Sequence, residues 1–84
     1  MYNYNATIMQ ELANKLTDAE KEEMKTIVDT LNPMYFAMRH KNALRLIEIY
    51  EKKLRRKDEP KLDLSCSACR SRYHIYFNNL RSYL

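Results

Sequence analysis

The chain of 84 residues contains no glycine and no tryptophan, and only two prolines and two cysteines. Glycine normally fills the positive-φ positions of tight hairpin turns, so its absence argues against a β-sheet fold. The same absence excludes the glycine-rich phosphate loop and the dinucleotide-binding fingerprint, and with them the common nucleotide-binding enzyme classes. Asparagine can replace glycine at such positions, and the chain has seven asparagines.

Long apolar runs are also missing. No window approaches the roughly 18 consecutive apolar residues that a membrane span needs. The first ten residues, MYNYNATIMQ, lack the basic and apolar regions of a signal peptide. We therefore expect no membrane partner and a reducing cytoplasmic location, or the host cytoplasm or virion if a phage encodes the chain. In such a compartment the two cysteines remain thiols.

The apolar periodicity predicts an all-α fold. A single small domain of about four helices, mostly antiparallel neighbours, is expected over residues 6–84, preceded by an N-terminal arm at residues 1–5. Asn5 is the expected N-cap of the first helix. Thr17 and Glu20 form the sequence pattern of a capping box for the second helix. The fourth helix is expected to begin at Asp63 or Ser65 and to run nearly to the end of the chain.

The pattern from Met34 to about Lys57 predicts a long central third helix, opened by Asn32 and Pro33. Its seam steps by four and three residues, as in a heptad repeat. The seam consists of Phe36, His40, Ala43, Ile47, Tyr50 and Leu54. An adjoining stripe consists of Tyr35, Met38, Leu46 and Ile49. A helix break near residues 40–42 is the alternative, with Asn42 capping a new helix.

Charge is unevenly distributed along the chain, which carries a net +4. Residues 1–32 hold three lysines and six acidic residues, whereas residues 33–84 hold twelve basic and five acidic residues. This asymmetry predicts a polyanionic partner, either nucleic acid or an acidic protein surface. The predicted contacts are Arg39, Lys41, Arg45, Lys52, Lys53, Arg55, Arg56, Lys57, Arg70, Arg72 and Arg81, with Tyr76 and His74 as stacking residues. An ordinary basic surface over core-sealing tyrosines is the alternative.

The segment LSCSACRSRYH carries the only chemically suggestive motif. On a helical wheel Cys66 and Cys69 open the apolar stripe of the last helix, which predicts two buried thiols. A zinc site from Cys66, Cys69, His40 and His74 is the second interpretation, although the spacing matches no zinc finger. A reactive dithiol at a helix N-terminus is the third. We expect no metal and no cofactor, and a backbone partner for His40.

No Ser–His–Asp arrangement or paired carboxylates indicate catalysis, so an enzyme is not expected. The favoured hypothesis is a binding protein whose basic, tyrosine-rich C-terminal half docks a polyanion. A small structural, assembly or adaptor protein, such as a phage virion component, is the alternative. An inhibitor encoded by a mobile element is the third. Seven tyrosines and five methionines in so small a domain also predict a protein partner or a homo-oligomer.

Overall fold

The computed structural model describes residues 5–57, 59, 61 and 63–84. These residues form helices and no strand, which confirms the all-α prediction. The helices are α1 (Ala6–Asn14), α2 (Asp18–Asp29), α3 (Met34–Ala37), α4 (Lys41–Ile49) and α5 (Ser67–Arg81), and a π-helical turn (Tyr50–Leu54) extends α4. Within the described ranges no helix has the length and apolar character to cross a membrane. Residues 1–4 of the predicted arm lie outside the described residues.

Helices α1 and α2 begin directly after the cap residues predicted from the sequence, Asn5 and Thr17. The Asn5 side chain accepts a hydrogen bond from the Ile8 N–H at 2.9 Å. Thr17 Oγ1 accepts from the Glu20 N–H at 3.1 Å, and Glu20 Oε1 accepts from the Thr17 N–H at 2.8 Å. Both arrangements satisfy N–H groups that have no partner inside the helix, so local sequence fixes these starts.

The predicted third helix is interrupted between α3 and α4. This outcome agrees with the alternative interpretation, in which the helix breaks near residues 40–42. Arg39 takes a left-handed conformation, with φ at 53°, between α3 and α4. The His40 N–H donates to the Tyr35 carbonyl at 2.8 Å, which closes the end of α3. His40 Nδ1 then accepts from the Asn42 N–H at 3.1 Å, so His40 rather than Asn42 caps α4. These local contacts override an apolar periodicity that continues across the break.

Helix α4 packs on two sides, and its buried residues belong to both predicted stripes.

An aromatic cluster joins α3, the π-helical turn and α5. It consists of Phe36, Tyr50, Tyr73, Tyr76 and Phe77. Phe36 is stacked on Tyr73 with centroids 5.6 Å apart, and Tyr50 meets Tyr73 edge-on at the same distance. Such pairs add about 0.5–1.5 kcal/mol each beyond area burial, so this cluster anchors α5.

Candidate docking surface

Acidic side chains of α2 hold basic side chains of the C-terminal half. The pairs are Glu20 with Lys53 at 2.6 Å, Glu23 with Arg45 at 2.8 and 2.9 Å, and Asp29 with Arg81 at 2.9 and 3.3 Å. Arg45 also contacts Glu48 on its own helix. The charge asymmetry of the sequence is therefore partly compensated inside the fold. Three of the predicted polyanion contacts instead tie α4, the π-helical turn and α5 to α2.

The same ion pairs shift the pKa values of the α2 carboxyl groups. A hydrogen bond from Lys53, followed by the Thr17 backbone N–H, lowers the pKa of Glu20 to about 2. The Arg45 guanidinium lowers the pKa of Glu23, and the pKa of Arg45 is raised in turn. The lowered pKa values keep these carboxylates ionised, and paired with their partners, to a more acidic pH than unpaired carboxylates.

The basic run at residues 52–57 is not a uniform binding strip. Glu59 is buried, and its carboxylate accepts from Arg56 Nε at 2.7 Å and from the Tyr50 hydroxyl at 2.8 Å. Arg55 donates to the Glu59 carbonyl at 2.9 Å and pairs with Glu51 at 3.0 Å. Arg55 and Arg56 thus stabilise the turn after the π-helix. Glu59 is not among the site residues predicted from the sequence. The pattern that could have identified it is an acidic residue three positions after the basic Arg56.

The remaining predicted basic residues point to solvent or to the segment before α5. Lys41, Lys52, Lys57, Arg39 and Arg72 are exposed. Within the part of the chain that the structure describes, Lys41, Lys52 and Lys57 form no ion pair. Arg70 is half-buried and donates to the Leu64 carbonyl at 2.7 Å.

The two predicted stacking residues differ in accessibility. Tyr76 is buried, with its ring edge-on to both Tyr50 and Phe77 at 5.2 Å, so little of its ring is accessible to a base. Its position on α5 turns it toward the aromatic cluster. His74 is half-buried beside the Asn78 side chain, and its stacking role stays a prediction.

The prediction that both cysteines are buried is wrong. Cys66 is exposed and precedes α5 as its N-cap, and Cys69 is half-buried in the first turn. Cys66 has an extended backbone, with φ −95° and ψ 121°, so a helical wheel does not describe it. The apolar face of α5 begins further along, at Tyr73.

The four candidate zinc ligands do not form a metal site in the described residues, where no group of three or more His, Cys, Asp or Glu side chains is placed to hold an ion. His40 is stacked on Tyr35 with centroids 4.1 Å apart, and its Nδ1 is occupied by the Asn42 N–H. The expected backbone partner of His40 is thus confirmed.

An exposed apolar feature lies on α3 and on its C-cap residue, Met38. Met34 and Met38 are 59 % and 65 % exposed, and their spacing of four residues places them on one helical face. Met38 therefore leaves the core stripe predicted for it, because the chain breaks at the next residue. A groove runs beside this face, between α3 and the start of α5. We call it the α3–α5 groove, and it is lined by Pro33, Met34, Ala37, Ser67, Arg70 and Ser71.

A wider, open depression has mixed character. Its charged side chains are Arg39, Lys61, Glu51 and Asp63, and its apolar lining includes Tyr73. Because its lining holds both cations and carboxylates, its charges select no single class of ligand. Among the described residues that line the α3–α5 groove, Arg70 alone is charged, so the charge of this lining has one sign.

Comparison of the chain with protein-family models, with curated proteins and with solved structures gives no match. Inference about function therefore depends on the surface itself, and above all on the two exposed methionines beside a basic groove.

Proposed function

We propose that the protein is a non-enzymatic adaptor that docks an acidic protein surface through the α3–α5 groove and the exposed face of α3. The exposure of Met34 and Met38 supports this proposal most directly. Apolar side chains that are exposed together, with polar residues around them, mark interaction sites on small proteins. Methionine also adapts its flexible side chain to irregular partner surfaces.

The charges around this apolar face favour an acidic partner. Arg70 lines the groove together with Met34. Arg39 follows Met38 directly in the chain, Lys41 lies two residues further on, and both are exposed. An apolar centre with a basic rim matches a partner that presents apolar anchors with acidic residues beside them. An acidic amphipathic helix laid into the groove has this chemistry.

This function retains the predicted polyanionic partner but restricts the binding site to one part of the basic C-terminal half. Of the eleven predicted basic contacts, Arg70 lines the α3–α5 groove, and Arg39 and Lys41 follow Met38 in the sequence. The reducing intracellular compartment and an assembly role, including a place in a virion, belong to the same proposal. Both are compatible with a small chain that exposes apolar side chains and functions when covered by a partner.

Nucleic-acid binding is the second candidate. The exposed lysines Lys41, Lys52 and Lys57, without an ion pair among the described residues, favour it. Lysines of this kind suffice for phosphate contacts, which depend steeply on salt. Burial of Tyr76 removes one of the two aromatic side chains that would have stacked on bases. We therefore rank this candidate below the acidic protein surface.

Fluorescence anisotropy with defined probes tests the proposal. The probes are a labelled amphipathic peptide of leucine and glutamate heptads, the same peptide with lysine for glutamate, single-stranded DNA, duplex DNA and RNA. We expect the wild-type chain to bind the acidic peptide and not the basic one. We expect the double variant Met34→Ser, Met38→Ser to lose at least about tenfold in affinity, equivalent to about 1.4 kcal/mol.

A matched control and a charge variant locate the effect. Leu44 is also a large exposed apolar residue, 43 % exposed, but does not line the groove, so Leu44→Ser should leave binding unchanged. Arg70→Gln removes the positive charge from the groove and should weaken acidic-peptide binding several-fold. Unchanged affinity in the methionine double variant would contradict the proposal. Salt-sensitive binding of nucleic acid that is lost in the triple variant Lys41→Gln, Lys52→Gln, Lys57→Gln would support the second candidate.

A further inference from the structure

We propose that Cys66 and Cys69 form a redox-active dithiol that exchanges with low-molecular-weight disulfides such as oxidised glutathione. The docking function does not use these thiols, and the proposal is independent of whether the chain docks a protein. Three features of the pair carry the inference: its spacing, the different exposure of its members, and its place at the start of the 15-residue helix α5.

The spacing allows a disulfide to close without unfolding the helix. The first turn of α5 is already formed, because the Arg70 N–H donates to the Cys66 carbonyl at 3.1 Å. Cys66 is extended on its N-terminal side, but its carbonyl belongs to the first helical turn, so the rise and radius of a helix place the Cα atoms of Cys66 and Cys69 about 5 Å apart. Disulfides are formed across Cα separations of about 4.4–6.8 Å. The backbone between Cys66 and Cys69 therefore needs only local adjustment.

The difference in exposure assigns the two thiols different roles. Cys66 is exposed and accessible to a dissolved disulfide, whereas Cys69 is half-buried behind it. Cys66 is thus the attacking thiol, and Cys69 is the thiol that resolves the mixed disulfide. Both lie on the surface side of α5, since the buried residues of this helix begin at Tyr73.

Local electrostatics favour the reactive form of Cys66. Its side chain makes no capping hydrogen bond of normal geometry, yet the neighbouring Cys69 N–H, followed by the Cys69 thiol, lowers the pKa of the Cys66 thiol. The Ala68 N–H adds to this effect, and the charge of Asp63 opposes it. A larger fraction of Cys66 is therefore present as the thiolate, which is the nucleophile in disulfide exchange.

The exchange proceeds in two balanced steps. The Cys66 thiolate attacks one sulfur of oxidised glutathione, the glutathione S–S bond breaks, and one glutathione thiolate leaves. The Cys69 thiol then gives its proton to solvent and attacks Cys66 Sγ, which releases the second glutathione thiolate. The protein has lost two electrons and two protons to form one disulfide, and one molecule of oxidised glutathione has been reduced to two thiols.

Intact-mass spectrometry of the folded chain treated with oxidised glutathione tests this inference. We expect the wild type to form an internal disulfide without a lasting glutathione adduct, and to keep its helical circular dichroism. Cys69→Ser should accumulate the mixed disulfide at Cys66, because the resolving thiol is missing. Cys66→Ser should react at least several-fold more slowly than Cys69→Ser, because its remaining thiol is half-buried.

Two results would overturn the inference. One is a wild-type chain that accumulates glutathione adducts and no internal disulfide. The other is a rate of reaction with oxidised glutathione that is no higher for the folded wild-type chain than for the same chain in denaturant. That result would mean that helix α5 does not raise the reactivity of the thiols. This second comparison needs no variant, so it holds even if a substitution disturbs folding.

Discussion

Replacing Arg56 by alanine should destabilise the fold, although Arg56 lies in a basic run that resembles a binding strip. Its Nε atom donates to the buried carboxylate of Glu59 at 2.7 Å, and the Tyr50 hydroxyl donates to the other oxygen at 2.8 Å. Removing one partner of a fully buried pair costs about 3–5 kcal/mol. The Arg56 side chain is 34 % exposed, so water compensates part of the loss. We therefore expect about 2 kcal/mol.

The effect is measured by thermal and urea unfolding, followed by circular dichroism. For a chain of this size, 2 kcal/mol corresponds to a fall in Tm of about 8–16 °C. Lys57→Ala is the matched control, because Lys57 is exposed and has no ion pair in the described ranges, and it should change stability by about 0.5 kcal/mol or less. Adding Glu59→Gln to Arg56→Ala should recover part of the loss, because a neutral amide is less costly to bury than a carboxylate.

Equal stability of Arg56→Ala and Lys57→Ala would refute this reasoning. It would mean that solvent reaches Glu59 and that the pair is an ordinary surface contact. The expected result has a practical consequence for binding experiments. Charge reversal at Arg56 changes folding first, so any loss of binding in that variant does not identify a partner contact.

Three further predictions concern α2 and the turn before α4. The pKa values of Glu20, Glu23 and Asp29 are lowered, so their ion pairs stabilise the fold above the unfolded pKa values. For Glu20 this contribution should be lost as pH falls from about 4.5 to about 2, and urea unfolding of Glu20→Gln against pH should show a shallower loss. Thr17→Ala should cost about 1 kcal/mol in the same assay, and a cost near zero would contradict the capping box. Arg39→Gly should preserve or raise Tm, because glycine accepts a positive φ without strain, and a fall in Tm would show that the Arg39 side chain stabilises the turn.

The helix starts could be predicted because they depend on residues close in sequence. Asn5 and the Thr17–Glu20 pair act within three positions of the helix that they cap. The buried residues of α1, α2 and α5 recur at helical spacing, which is also a pattern between residues close in sequence. The periodicity failed between α3 and α4, because one residue, Arg39, adopts a left-handed conformation that no apolar pattern encodes.

The candidate site was harder to predict, because it depends on residues that are distant in sequence. Arg45 is predicted as a polyanion contact from its charge alone, but its partner Glu23 lies 22 residues away. Met38 is exposed where α3 ends, and Cys66 is exposed just before α5 begins. A helical wheel assumes that the helix continues through both positions. The sequence shows that the C-terminal half is basic, but only the fold shows which of these charges are paired inside the molecule.

Methionine-methyl NMR tests the central claim most directly, which is that the exposed face of α3 docks an acidic partner. A chain labelled at the methionine methyl groups is titrated with the acidic amphipathic peptide. Met34 and Met38 should shift progressively, whereas Met9 and Met24, at 2 % and 0 % exposure, should stay in place. Binding that leaves Met34 and Met38 unshifted, or no binding of the peptide at low salt, would contradict the account.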